Sequence, residues 1–182
     1  MAVCNLKNVG SGAVSCGENF AGVGSRLFLF LPEDLEGTPT YDEEKAEYTA
    51  DSFTFKTGKG AYEVFLKPKS GKVTCSSNPN AGGFSNVFTG VVAKALDDMS
   101  HLLRTMNNRN FGAMVSDGLG KYYVLYSPDF DNELSVEFDS GDTPDSDHGF
   151  TVTITCSPML YPATKWSGTL TMAPTTPEGS GV

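Results

Sequence analysis

Apolar residues recur at every second position in several short runs of this chain, and one longer segment has a different spacing. Within residues 95–107 they recur instead at three- and four-residue steps; the members are Leu96, Met99, Leu102, Leu103 and Met106. A step of two places side chains on one face of a strand, whereas steps of three and four place them on one face of a helix. The sequence therefore predicts a mainly β domain with one amphipathic helix.

Short apolar runs bounded by turn residues predict the strands. Residues 27–31 are all apolar and are followed by Pro32, a pattern that is typical of a buried strand. Residues 48–57 and 61–67 flank a glycine turn, as do 111–116 and 121–127 around Asp117-Gly-Leu-Gly120, so each pair predicts a hairpin. Further strands are predicted at 72–76, 84–93, 134–139 and 150–156. With about eight strands and one helix, the expected fold is a β-sandwich or barrel on which the helix packs.

The length of 182 residues suits a single domain, 1–182, with three irregular segments. Residues 1–25 are interrupted by five glycines and predict an extended N-terminal arm. Residues 32–47 concentrate acids between proline and glycine, which is typical of a solvated acidic loop. Residues 173–182 have linker composition and predict a flexible C-terminal tail.

The charge balance argues against nucleic-acid recognition. There are 22 acidic and 13 basic side chains, which gives a formal net charge of −9. Binding to phosphates requires a patch of Lys and Arg, and the clusters at Lys67, Lys69 and Lys72 and at Lys56 and Lys59 are small. An acidic surface instead repels DNA.

The cysteine pattern and the absence of targeting signals predict a protein made and kept in a cytoplasm. Cys4, Cys16, Cys75 and Cys156 are widely separated and lack zinc-site spacing. Four free thiols are the favoured interpretation, and two disulfide bridges are the alternative. No secretory signal pattern and no apolar stretch long enough to span a bilayer is present.

Candidate metal ligands lie in an unusual acidic loop at residues 139–149. Asp142, Asp145 and Asp147 supply oxygen ligands of the kind that Ca²⁺ prefers, but the closing glutamate of an EF-hand is missing. A turn held by side-chain-to-backbone bonds is the favoured interpretation, and no metal or cofactor is predicted. Asp129, Asp131 and Glu133 form a second acidic set nearby.

No catalytic pattern emerges from the motifs. His101 lies on the polar side of the predicted helix, and His148 lies in the acidic loop. Thr57-Gly-Lys-Gly60 lacks the remaining residues of a P-loop, no nucleophile elbow occurs, and no cysteine has a histidine partner. The sequence predicts that the protein is not an enzyme.

The order of elements from Asn86 to Pro158 carries a family resemblance. A strand, an amphipathic helix, the Asp117-Gly-Leu-Gly120 hairpin and two late strands resemble the tail tube proteins of tailed bacteriophages. Residues 21–35 (AGVGSRLFLFLPEDL) also look like the first strand of virion proteins from phages of Bacteroides-type hosts.

This resemblance implies a virion protein of the tail, assembled in the bacterial host cytoplasm. Its copies would form hexameric rings whose edge strands complete a barrel between subunits, and the rings would stack into a tube. Arms and loops would bridge the rings, other tail proteins would be partners, and genomic DNA would pass an acidic lumen without specific binding. No membrane would be involved.

Two other classes of function remain open. One is a capsid decoration or head–tail connector protein, which shares the sandwich and helix but not a continuous barrel between subunits. The other is a β-sandwich that binds glycans or a host surface through stacking residues; the candidates are Tyr122, Tyr123, Tyr126 and Trp166. Core packing of these aromatics is the favoured interpretation, because they alternate as strand residues.

Overall fold

Two β-sheets and one helix make up the described part of the computed structural model, which comprises residues 23–77, 82–92, 96–107, 109–117, 120–139 and 149–174. The strands are β1 (Val23–Phe30), β2 (Tyr41–Asp42), β3 (Glu47–Tyr48), β4 (Tyr62–Phe65), β5 (Lys72–Ser77), β6 (Phe84–Val92), β7 (Gly112–Asp117), β8 (Tyr122–Leu125), β9 (Glu133–Asp139), β10 (Gly149–Met159) and β11 (Lys165–Trp166). The helix, α1 (Leu96–Met106), follows β6, and a 3-10 turn occupies Pro32–Asp34.

The strand order defines a sandwich of unequal layers. Seven strands form one sheet in the order β2-β3-β11-β8-β7-β1-β4, and four form the other in the order β5-β6-β10-β9. A bridge between Leu66 and Val92 joins the sheets at one corner. Neither sheet closes into a barrel over the described ranges, so of the two predicted architectures the sandwich is the observed one.

The first core lies between the sheets. Its largest members include Phe88 from β6 and Ile154 from β10, both fully buried. Leu103 and Met106 of α1 belong to the same cluster, so the apolar stripe of the helix covers this core as predicted. The predicted helix at residues 95–107 is confirmed as α1.

A second core covers the opposite face of the seven-stranded sheet. The indole of Trp166 is 1% exposed and packs edge-on against Phe53 at a centroid distance of 5.2 Å. Its Nε1 donates to the carbonyls of Thr49 and Ala50, each at 3.1 Å. Because β1 is buried on both faces, residues 27–31 form an unbroken apolar run rather than an alternating one.

Most of the predicted strands are confirmed. β7 and β8 pair in an antiparallel hairpin on either side of Asp117-Gly-Leu-Gly120, as predicted. The Asp117 backbone N–H donates to the Lys121 carbonyl at 2.7 Å, and its carboxylate accepts from the Lys121 N–H at 2.8 Å. The runs at 72–76, 84–93, 134–139 and 150–156 correspond to β5, β6, β9 and β10.

The predicted hairpin between residues 48–57 and 61–67 is wrong. β4 pairs with β1 instead, and residues 49–60 form turns in which only Phe55 makes an isolated bridge, to Leu35. Phe53 and Phe55 are nevertheless 2% and 7% exposed, because both pack into the second core. Their alternation reflects burial under the sheet and not a strand.

The three segments predicted to be irregular are partly built into the fold. Residues 23–25 belong to β1, so the predicted arm shortens to 1–22, which lies outside the described residues. In the acidic segment 32–47, Glu33, Glu36, Glu43 and Glu44 are exposed, whereas Asp34 and Leu35 are buried and β2 pairs with β3, so the segment is not a loop throughout. The Ala173 N–H donates to the Ala61 carbonyl at 3.0 Å; residues 175–182 lie outside the described residues.

Replacing Gly112 with alanine should destabilise the fold. A Cβ at this position would collide with the Phe30 ring, which β1 and the second core hold in place. Overpacking of this kind costs about 1–3 kcal/mol. We expect urea unfolding of Gly112→Ala to show that loss in the free energy of unfolding.

Gly37→Ala is the matched control, because its Cβ would meet no atom within 4 Å. Its free energy of unfolding should lie within about 0.5 kcal/mol of the parent. Equal stability of the two variants would contradict the packing described for Phe30.

Candidate functional site

The four-stranded sheet ends in two strands that each have one neighbour among the described residues. β5 pairs with β6 only, and β9 pairs with β10 only. Edge strands present backbone N–H and C=O groups that can pair with another chain. With six and seven residues, β5 and β9 are long enough to form full ladders.

Strand direction makes these two edges compatible with each other. Every pairing in the four-stranded sheet is antiparallel, so direction alternates from β5 through β6 and β10 to β9. With an even number of strands, β5 and β9 run in opposite directions. β9 of one copy placed against β5 of another would therefore continue an antiparallel sheet.

The charges on the two edges are opposite. β5 carries Lys72, and β9 carries Glu133 and Glu137; all three are exposed, and none forms an ion pair with another described residue. Across the sheet, Lys72 of β5 lies opposite Thr89 of β6, Thr89 lies opposite Thr153 of β10, and Thr153 lies opposite Ser135 of β9. Glu133 and Glu137 flank Ser135 on the same face, because successive same-face residues are two apart.

The outward face of this sheet is polar and partly exposed. Its central rows come from β6 and β10, where residues that share the face alternate with core residues. They are Val87, Thr89, Val91, Thr151, Thr153 and Thr155, all half-buried. Hydroxyl groups dominate its centre, and carboxylates lie on the β9 side.

The predicted ionic and histidine candidates do not form a site in the described residues. Asp142, Asp145, Asp147 and His148 lie outside that part of the chain. Asp129, Asp131 and Glu133 are exposed, and no group of three His, Cys, Asp or Glu within the described ranges could hold a metal ion. His101 is exposed on the helix, as predicted.

The four aromatics considered for glycan stacking do not share an exposed face. Trp166 and Tyr126 are 1% and 6% exposed and belong to the second core. Tyr122 packs against Trp166 and Phe28 at centroid distances of 5.5 and 5.6 Å. The Lys165 ammonium lies 4.6 Å from the centroid of the Tyr123 ring. Core packing is thus confirmed for Tyr126 and Trp166.

A different set of aromatics lines a cleft at one end of the sandwich, here called the aromatic groove. It has a volume of about 450 Å³, and its aromatic lining includes Tyr41, Phe130 and Tyr161. The rings of Tyr41 and Tyr161 stack at 3.8 Å and 13°. Phe130 is 49% exposed, and the neighbouring Leu160 is 79% exposed.

The electrostatic character of the aromatic groove is acidic. The Tyr161 hydroxyl donates to Glu43 Oε1 at 2.7 Å, and this bond raises the pKa of Tyr161. Burial and the Asp129 charge raise the pKa of Tyr126. No Lys, Arg or His is among the described residues that line the groove. Sequence reasoning missed the groove, because Tyr41 and Tyr161 are far apart in the chain.

Comparison with protein-family models, with curated proteins and with solved structures finds no match for this chain. Within the described residues, no helix is long and apolar enough to cross a membrane.

Cys75 and Cys156 should differ sharply in reactivity toward thiol reagents. Both are free; Cys75 is exposed on β5, whereas Cys156 is fully buried, and burial raises the pKa of its thiol to about 12. At pH 8 only about 10⁻⁴ of the Cys156 thiol would be the reactive thiolate. We expect an aromatic disulfide reagent to modify Cys75 at least about a hundredfold faster.

The measurement uses a Cys4→Ser/Cys16→Ser background, so that two thiols remain. Mass spectrometry of timed digests assigns each modified cysteine, and unfolding in guanidinium should equalise the two rates. Rapid native labelling of Cys156 would contradict its position in the first core.

Proposed function

We propose that this protein is a structural virion subunit that assembles through β5 and β9 into rings, and that stacked rings form a bacteriophage tail tube through which DNA passes. The observation that carries the proposal is the pair of antiparallel-compatible sheet edges with opposite charges. An edge that matches a different edge on the next copy makes a head-to-tail contact, and such contacts form a ring when the rotation from one copy to the next closes.

The number of copies per ring comes from the family resemblance, which implies six. The geometry of one subunit does not specify that number. A ring built from these edges would carry a continuous sheet of four strands per copy. Its polar face, rich in threonine, would be repeated around the ring together with Glu133 and Glu137.

The charge of the subunit supports passage of DNA without binding. Each copy has a formal net charge of −9, so a ring accumulates negative charge. If the polar face of the four-stranded sheet lines the lumen, its carboxylates repel phosphates. Its hydroxyl groups form only neutral contacts, and without lysine or arginine patches they provide little affinity.

The alternatives differ in the symmetry and the surface that they require. A capsid decoration or connector protein would not need a continuous sheet between copies, so the match of direction and charge between β5 and β9 favours the tube. A glycan-binding module built on Tyr122, Tyr123, Tyr126 and Trp166 lacks support, because Tyr126 and Trp166 are buried.

Reversal of the β5 charge should abolish ring formation. Lys72→Glu would place a third carboxylate beside Glu133 and Glu137 of the neighbouring copy, and like charges across a strand junction are destabilising. We expect the assembled particle to fall to the 19.4 kDa monomer in size-exclusion chromatography with light scattering. Negative-stain microscopy of the parent should show rings.

The triple variant Lys72→Glu/Glu133→Lys/Glu137→Lys restores opposite charges and should restore rings. Lys56→Glu, the same charge reversal at an exposed lysine outside both edges, is the matched control and should leave rings intact. A parent protein that stays monomeric at high concentration would refute the assembly proposal. Rings that tolerate Lys72→Glu would refute the assignment of these particular edges.

A further inference from the structure

The turn between β4 and β5 presents one lysine at its tip. The Ser70 N–H donates to the Lys67 carbonyl at 3.1 Å, with Pro68 and Lys69 as the two central residues. Pro68 in the second position and a positive φ of 65° at Lys69 in the third fit a type II turn. Lys69 is exposed.

This turn is fastened to the sheet. The Ser70 hydroxyl donates to the Lys67 carbonyl at 2.7 Å and accepts from the Val91 N–H at 3.1 Å. The Lys67 N–H donates to the Val91 carbonyl at 2.7 Å. The tip is therefore held in a defined position relative to β6.

Lys69 occupies a backbone conformation that favours glycine or asparagine. A positive φ brings the Cβ of an L-residue close to its own backbone, so a lysine is less stable here than glycine would be. Strained residues of this kind cluster at binding sites. Glycine would supply the turn but no charge, so Lys69 adds an exposed ammonium group at this tip.

The aromatic groove has the chemistry to receive an ammonium group. Tyr41, Tyr161 and Phe130 offer aromatic rings, and a lysine ammonium is attracted to the face of such a ring. Asp129 lines the groove, and Glu43 reaches it through its bond to the Tyr161 hydroxyl. The groove and the turn are complementary in charge.

The two features lie at opposite ends of the same sheet. The turn is bonded to Val91 near the end of β6, whereas the groove lies where β6 begins, beside the Phe84–Met159 pair. Val91 lies seven residue steps along β6 from Phe84, which is a distance of about 23 Å at about 3.3 Å per step. A contact within one copy is therefore excluded, and copies stacked along the strand direction would bring the turn to the groove.

We propose that the aromatic groove binds the Lys69 turn of a second copy of this chain, stacked end to end on the first. The contact lies along the strand direction, at right angles to the direction in which β5 and β9 pair. It joins two different surfaces, so each copy can bind one copy above it and one below it, and the contact repeats along the stack. It rests on the proposed function only in that the stacked copies belong to neighbouring rings.

A zero-length cross-link tests the contact directly. Equal amounts of ¹⁴N- and ¹⁵N-labelled protein are mixed at assembling concentration and treated with a water-soluble carbodiimide, which joins an amine to a carboxylate without a spacer. Mass spectrometry of the digest should find Lys69 joined to Asp129 or Glu43, with one peptide of each isotope. Lys69→Arg keeps the charge but removes the reactive amine, so this control should assemble and lose the cross-link.

The outcomes separate this contact from the proposed function. Stacked rings without the cross-link would overturn the contact and leave the tube proposal standing. The cross-link without rings would support the contact and overturn the tube proposal, and the absence of both would overturn both. A cross-link from Asp129 to Lys7 or to the N-terminal amine would overturn the contact and assign the groove to residues 1–22.

Charge exchange gives a second readout by microscopy. Lys69→Glu and Asp129→Lys should each convert stacks into single rings, because each places like charges in the groove. The double variant Lys69→Glu/Asp129→Lys should restore stacks. Stacks of parental length in both single variants would overturn the contact.

Discussion

Burial of β1 on both faces is the constraint on which the rest of the structure depends. Leu27 and Leu29 face the core between the sheets, and Phe28 and Phe30 face the second core. A strand that is apolar on both faces needs a layer on each side. The four-stranded sheet and α1 form one layer, and the turns of residues 32–60 form the other. Among the described residues only the seven-stranded sheet is covered in this way, and the smaller sheet has a polar outward face.

The second core also explains why an acid-rich segment is ordered. Tyr48 and Phe53 enter the core beside Trp166, and the Trp166 indole binds the carbonyls that follow Tyr48. The exposed side of the same segment holds Tyr41 and Glu43 against Tyr161. Burial on one side of this segment thus positions the acidic and aromatic wall of the groove on the other.

Local signals in the sequence were sufficient for some elements and insufficient for others. The helix and the Asp117-Gly-Leu-Gly120 hairpin could be predicted because their periodicity and turn chemistry are contained in short segments. The alternation of Phe53 and Phe55 led to a wrong strand prediction, because alternation reflects burial. Turns that pack under a sheet can also bury every second residue. The opposed edges and the groove could not be predicted, because both depend on strand order. Tyr41 and Tyr161 lie together because β11, which follows Tyr161, pairs with β3, and β3 pairs with β2.

The even number of strands in the smaller sheet has a consequence for polarity. If every copy joins the next in the same sense, all copies in a ring point the same way along the ring axis. One rim of the ring would then carry the basic turns, and the other would carry the acidic grooves. A stack of such rings would have chemically different ends, so initiation at one end and termination at the other could be assigned to different proteins.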